Sequence, residues 1–133
     1  MPERLLRGLL DTSVVIDLDL LSADDLPQEL AISAVTMAEL AAGPAAAEGD
    51  ERARRQDRLQ RAESVFDPLP FGVEAARAYG RVFAAVRGAG RQPRRRFADL
   101  LIASTALAEG LPLVTRNAAD FVGLEDLLTV VEV

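Results

Sequence analysis

Apolar positions divide the chain into short segments with distinct periods. Leu5 to Leu10 is an apolar run interrupted by Arg7 and Gly8 and closed by Asp11; its shortness and its glycine predict a buried strand rather than a helix. Ser13 to Leu21 sets Val14, Ile16, Leu18 and Leu21 among Asp17 and Asp19, which predicts a helix capped by Thr12 or Ser13. Asp24, Asp25 and Pro27 mark a break before a second strand at about Leu30 to Ala34. Thr36 to Ala42 reads as a helix stopped by Gly43 and Pro44. From Ala45 to Val65 acids precede arginines by four residues at Glu48–Arg52, Asp50–Arg54, Glu51–Arg55 and Asp57–Arg61. That order favours ion pairs on a solvated helix, so these charges read as structural.

Phe66 to Leu69 offers a third strand that Pro68 would confine to an edge. Val73 to Val86 reads as a helix with Ala76, Tyr79, Val82, Phe83 and Val86 along one side. A loop from Gly88 to Arg96 leads to Phe97 to Glu109, nearly all apolar after Asp99, a buried helix ended by Gly110. Pro112 to Thr115 and Leu127 to Val133 supply the last strands. Strands alternating with helices define an α/β class, one domain over residues 1–133 with a mainly parallel sheet. In such sheets ligands bind beyond the carboxyl ends of the strands.

The 133 residues, 50% of them hydrophobic, suffice for one domain with a real core. The densest apolar stretches are broken by Arg7, Asp11, Glu39 and Asp99, and no signal-peptide pattern opens the chain, so the expectation is a cytoplasmic protein without membrane contact. Cysteine, histidine and lysine are absent, and all 15 basic residues are arginine. Disulfides, imidazole catalysis, zinc sites, a P-loop lysine and Schiff-base chemistry are thereby set aside. Carboxylates remain as the working groups, and they suit hard divalent cations such as Mg²⁺ or Mn²⁺. A net charge of -6 disfavours nucleic-acid binding by the whole surface, yet Arg91, Arg94, Arg95 and Arg96 form a local basic patch.

Acidic and amide side chains recur where strands end. Asp11 directly follows the first strand and is either a helix cap or part of a ligand site. Glu39 lies one turn after the second strand; with Thr36 it fits a capping box, and it also points toward the same edge as Asp11. Asp99 opens an apolar helix, where the dipole favours an acid but burial demands a partner, either arginines 94 to 96 or a metal. Thr115, Arg116, Asn117 and Asp120 follow another strand, as a turn or as part of a site. If they converge, the carboxylates would repel unless a divalent cation neutralised them, and such a site can hydrolyse a phosphodiester.

The segments Leu9-Leu10-Asp11-Thr12-Ser13, Ile32-Ser33-Ala34-Val35-Thr36-Met37-Ala38-Glu39, Phe97-Ala98-Asp99-Leu100 and Leu113-Val114-Thr115-Arg116-Asn117-Ala118-Ala119-Asp120 resemble, in this order, the PIN-domain family and within it the VapC-type toxins. The resemblance spans essentially the whole chain. It implies a three-layer α/β/α sandwich and a Mg²⁺-dependent (or Mn²⁺-dependent) endoribonuclease, the toxin of a type II toxin–antitoxin pair. It also implies a basic-tailed VapB-like antitoxin and a homodimer. By position Asp11, Glu39 and Asp99 match the acidic metal-binding triad, and Ser13 and Thr115 match supporting hydroxyls. Some relatives carry a fourth acid where this chain has Asn117, so Asp120 is the candidate substitute. Arg94, Arg95, Arg96 and Arg116 would hold RNA phosphates, while one tyrosine and five phenylalanines leave little for base stacking. The rival is a non-catalytic PIN-like binding module, for which Asn117 would be the sign of a degraded site. Receiver domains and haloacid-dehalogenase-type phosphatases share the Asp after a first strand, but they use a lysine that this chain lacks.

Overall fold

The computed structural model describes residues 4–133. Four parallel strands, β1 (Arg7–Leu10), β2 (Glu29–Ala31), β3 (Leu113–Thr115) and β4 (Val130–Glu132), form one sheet in the order β2-β1-β3-β4. Helices α1 (Thr12–Ile16), α2 (Ala34–Ala42), α3 (Gly49–Val65), α4 (Val73–Gly88) and α5 (Phe97–Glu109) complete the α/β/α arrangement.

Successive strand residues point to opposite faces, and each face has its own core. Leu9 and Leu113 pack with Val82, Leu100, Ile102, Ala103 and Phe121, beneath α4 and α5. Their neighbours Leu10 and Val114 turn the other way, onto Val14, Ile32, Leu40 and Ala62. The central strands are thus apolar on both faces, as buried parallel strands are. Gly8 is required by this closeness: a Cβ there would stand 2.6 Å from Pro27 Cγ and 2.9 Å from Val114 Cγ2. Gly110, at φ 66°, ends α5 in the left-handed conformation, as expected.

Several boundaries differ from those the sequence suggests. The first helix ends at Ile16 and continues as a separate 3-10 turn, Leu18–Leu20, and its cap is Asp11, not Thr12 or Ser13. Helix α2 starts two residues early because Ser33, rather than Thr36, is its cap: Ser33 Oγ accepts from Thr36 N at 3.0 Å. Glu39 therefore does not close a capping box. The strand expected at Phe66 to Leu69 shrinks to one bridge, Leu69 with Ser33, because Pro68 and Pro70 on either side have no N–H to donate. Pro44–Ala46 forms a 3-10 turn, so α3 begins only at Gly49. The last strand is cut to three residues because the amides of Leu127 and Leu128 turn back to Leu124 O. On α4 the buried positions are Ala75, Ala78, Val82 and Val86; Ala76 faces outward. Among the described residues, no helix is long and apolar enough to cross a membrane.

Candidate active site

Parallel strands share one carboxyl edge, and the connections bring the acids to it. Asp11 follows β1, Glu39 lies on the helix after β2, and Asn117 and Asp120 follow β3. Helix α5 runs back across the sheet to feed β3, so its first turn, with Asp99, starts at the same edge.

Asp11 is the fixed point. Only 4% of it is exposed, and three donors hold its carboxylate. Thr12 N donates to Oδ1 at 2.9 Å, while Ser13 Oγ and Thr115 Oγ1 donate to Oδ2 at 2.8 and 2.9 Å. The two hydroxyls are oriented from behind. Arg116 N donates to Ser13 Oγ at 3.2 Å and Asn117 N to Thr115 Oγ1 at 3.1 Å, so each hydroxyl accepts from the backbone and turns its own proton to Asp11. The backbone leaving β3 thereby sets the orientation of an acid 104 residues away.

Glu39 is tied to the same edge through Thr12, whose Oγ1 donates to Glu39 Oε1 at 2.6 Å and lies 3.0 Å from Thr36 Oγ1. Asp120 Oδ1 accepts from Arg96 Nη1 at 2.9 Å and from Asn117 Nδ2 at 3.2 Å. Arg96 reaches Asp99 Oδ2 only at 3.9 Å. Asp99 is pushed up from 3.8 to about 6, first by burial, then by the charges of Asp11, Asp120 and Glu39, with Arg96 pulling the other way. Three acids from other segments thus act on Asp99.

The candidates divide by their partners. Asp11, Glu39, Asp99 and Asp120 gather, with Ser13 and Thr115 behind Asp11. Asn117 acts through Asp120, its amide donating to that carboxylate. Arg94 and Arg95 lie exposed on a 3-10 turn, Pro93–Arg96, whereas Arg116 is engaged by Asp17 at 3.2 Å and by Val133 O at 3.0 Å. Thr12, the link between α1 and Glu39, is read from the sequence only as a candidate cap of the first helix; its bond to Glu39 comes from the fold. Among the described residues, no group of three or more acidic side chains is already arranged to hold a metal ion. The cluster is an open one, with Glu39 exposed at its rim.

A buried, hydroxyl-braced aspartate at the carboxyl edge of a parallel sheet, with further acids around it, is the frame of a hydrolytic α/β domain. Residues 8–122 match the PIN domain, and the chain belongs to that family. It is 39% identical over 129 residues to ribonuclease VapC5 of Mycobacterium tuberculosis, covering 92% of this chain and 91% of that protein. With ribonuclease VapC8 of the same species it shares 38% identity over 101 residues, covering 74% and 89%. The crystal structure of VapBC-5 from M. tuberculosis, a member of the VapBC family of toxin–antitoxin systems, superposes with a TM-score of 0.85 at 34% identity over 96% of this chain and 99% of that one. FitAcB from Neisseria gonorrhoeae gives 0.69 at 27% identity over 93% and 96%.

Proposed function

We propose that this chain is an endoribonuclease of the VapC type, the toxin of a toxin–antitoxin pair, and that it hydrolyses RNA phosphodiester bonds with a divalent cation, Mg²⁺ or Mn²⁺. The observation that carries this reading is the placing of the acids: Asp11, Glu39, Asp99 and Asp120 reach one carboxyl edge from separate elements, around an Asp11 that is buried and braced by an amide and two hydroxyls. An all-oxygen donor set with excess negative charge fits a hard cation. Asp11, Glu39 and Asp99 would hold it, with Glu39 exposed at the rim and held there by Thr12 Oγ1 at 2.6 Å. When bound, the cation supplies charge neutralisation and activation of water.

The remaining work belongs to the chain's own groups. Ser13, Thr115 and Thr12 N keep Asp11 aimed, so it needs no reorganisation when substrate arrives. Without a cation the Asp99 carboxyl is pushed up to about 6, first by burial and then by its acidic neighbours, a crowding that a bound cation would relieve. Arg96 and Asn117 fix Asp120 beside it. Arg94 and Arg95 remain on the surface for RNA phosphates.

The relatives extend the reading to partners. VapBC-5 is a toxin–antitoxin system, and a basic VapB-like segment would complement the acidic edge of this chain. A homodimer is part of the same proposal. The deciding experiment is cleavage of structured RNAs with Mg²⁺, with Mn²⁺ and with EDTA, comparing wild type with Asp11→Ala and Asp99→Ala. Cleavage that needs the cation and both acids supports the reading; cleavage in EDTA, or by either variant at the wild-type rate, sinks it.

A further inference from the structure

Arg96 separates the acids from a second feature. It binds Asp120, and the two residues also line a cavity of about 370 Å³ between the end of α4, the turn before α5 and the turn after β3. That volume lies within the roughly 300–1,000 Å³ of small-ligand sites. Three guanidinium groups, those of Arg91, Arg95 and Arg96, stand in its wall, although the chain as a whole carries a charge of -6. Two of them are already held: Arg91 Nη1 donates to Ala119 O at 2.8 Å, and Arg96 Nη1 to Asp120. Arg95 is exposed on the 3-10 turn. Opposite in character, Val122, 44% exposed, gives the cavity an aliphatic lip, while Leu100 behind it is almost wholly buried.

Guanidinium groups select an anion, and an aliphatic lip selects a flat, weakly polar ring. A nucleotide has both. A basic peptide, the complement of the acidic edge, would be repelled here. We infer that this cavity is the subsite for one nucleotide next to the scissile phosphate, with Arg95 binding its phosphate and Val122 against its base. The inference rests on the nuclease reading and deepens it: the cavity begins at Asp120, where the acidic edge ends, so a strand cleaved at the carboxylates enters it directly. Arg91, tied to the turn after β3, holds the wall in place.

The test is the affinity of the full chain for a fluorescein-labelled single-stranded oligoribonucleotide, measured in EDTA by anisotropy over a range of salt. Arg95→Ala should weaken binding several-fold and lower the slope of log affinity against log salt by about 0.7, the value for one phosphate contact on a single strand. Val122→Asn should weaken binding about three-fold with the slope unchanged. Neutralising single linkages as methylphosphonates should identify one position that costs wild type as much as Arg95→Ala does, and costs Arg95→Ala nothing further. An unchanged slope in Arg95→Ala, or an equal loss at every linkage, overturns the assignment. So does an Arg95→Ala protein that binds RNA normally but sediments as a different oligomer, since the face would then serve protein association. If wild type shows the binding signature but cleaves no RNA with Mg²⁺, the cavity stands as a nucleotide site and the nuclease reading fails; cleavage that is indifferent to Arg95 gives the opposite division.

Discussion

Acidic residues serve two regions of this molecule in opposite ways. On α3, Glu51 accepts from Arg55 Nε at 3.0 Å and lies 2.8 Å from Arg54 Nη2, and Asp57 lies 3.3 Å from Arg61. Hydrogen bonds from Arg55 and then Arg54 hold the Glu51 carboxyl below its usual range. At the sheet edge, burial and neighbouring acids drive Asp99 up to about 6. Composition does not separate the two regions. Neighbourhood does: a helix surface lets each acid choose a cation one turn away, whereas converging strand ends crowd acids from distant segments. Acids that remain uncompensated in a fold are where a further ligand is needed.

The comparison breaks most sharply under substitution at the edge. Asp11→Ala or Asp99→Ala should lower RNA cleavage by about 100-fold or more, since on the proposed reading either change removes a charge that would hold the cation. Asp57→Asn, on the exposed face of α3, should leave cleavage within about two-fold of wild type. Initial rates on one RNA at saturating Mg²⁺ check both. Equal losses at Asp57 and Asp99 would erase the distinction between the regions.

A second test uses protons. The folded chain holds the Asp99 proton more tightly than the unfolded chain does, with the affinity raised from 3.8 to about 6. Between those values the native state binds more protons than the unfolded state, so stability falls as pH rises through the window and is flat above it. Asp99→Asn removes this dependence. The wild type minus Asp99→Asn difference in urea stability without divalent ions should therefore change by on the order of 1–3 kcal/mol between pH 4 and pH 7. Mg²⁺ should abolish the difference at neutral pH by replacing the proton. A constant difference across pH would mean that the acids do not crowd Asp99.

These contrasts show which parts of the molecule are legible from the chain alone. Asp11, Glu39, Asp99 and Thr115 can be picked out because a strand-like run ends beside each or an apolar helix begins there, and parallel topology does the rest. The pairing Glu51–Arg55 is legible because it is local. Arg52, by contrast, forgoes Glu48 and donates to the carbonyls of Pro44 and Ala47, at 3.0 and 2.8 Å, because the 3-10 turn before α3 presents them. The same limit hides the partners of Glu39 and Asp120: Thr12 lies 27 residues from Glu39, and Arg96 lies on another element from Asp120. Local pattern names the residue and its edge; tertiary placement chooses what it touches. The cap of α2 differs for a subtler reason, since Ser33 and Thr36 are both good caps and only the path of the chain after β2 selects the first.

Thr115→Val sharpens the comparison at intermediate size. It keeps the shape of a fully buried side chain while removing one donor to Asp11 Oδ2 and the acceptor for Asn117 N. Loss of such a supporting bond should weaken divalent-ion affinity about ten-fold, read as a displaced Mg²⁺ dependence of the melting temperature. Thr115→Ser should restore it. If valine and serine behave alike, the hydroxyl contributes nothing to the aim of Asp11.

The smallest effect is expected where the charges are best satisfied. Glu51→Gln removes the acid that both Arg54 and Arg55 address, so on bond counting alone it should matter. Solvent decides otherwise: 41% of the Glu51 side chain is exposed, and water and salt replace most of what the arginines provide. Arg55 also keeps a second bond, from Nη1 to Gly43 O at 3.0 Å, which holds α3 against the turn after α2. The melting temperature should therefore move by about 2 °C or less, and less still at about 0.5 M NaCl. A larger, salt-insensitive drop would show that α3 is anchored by charge, and that its acids are no less consequential to the molecule than those at the sheet edge.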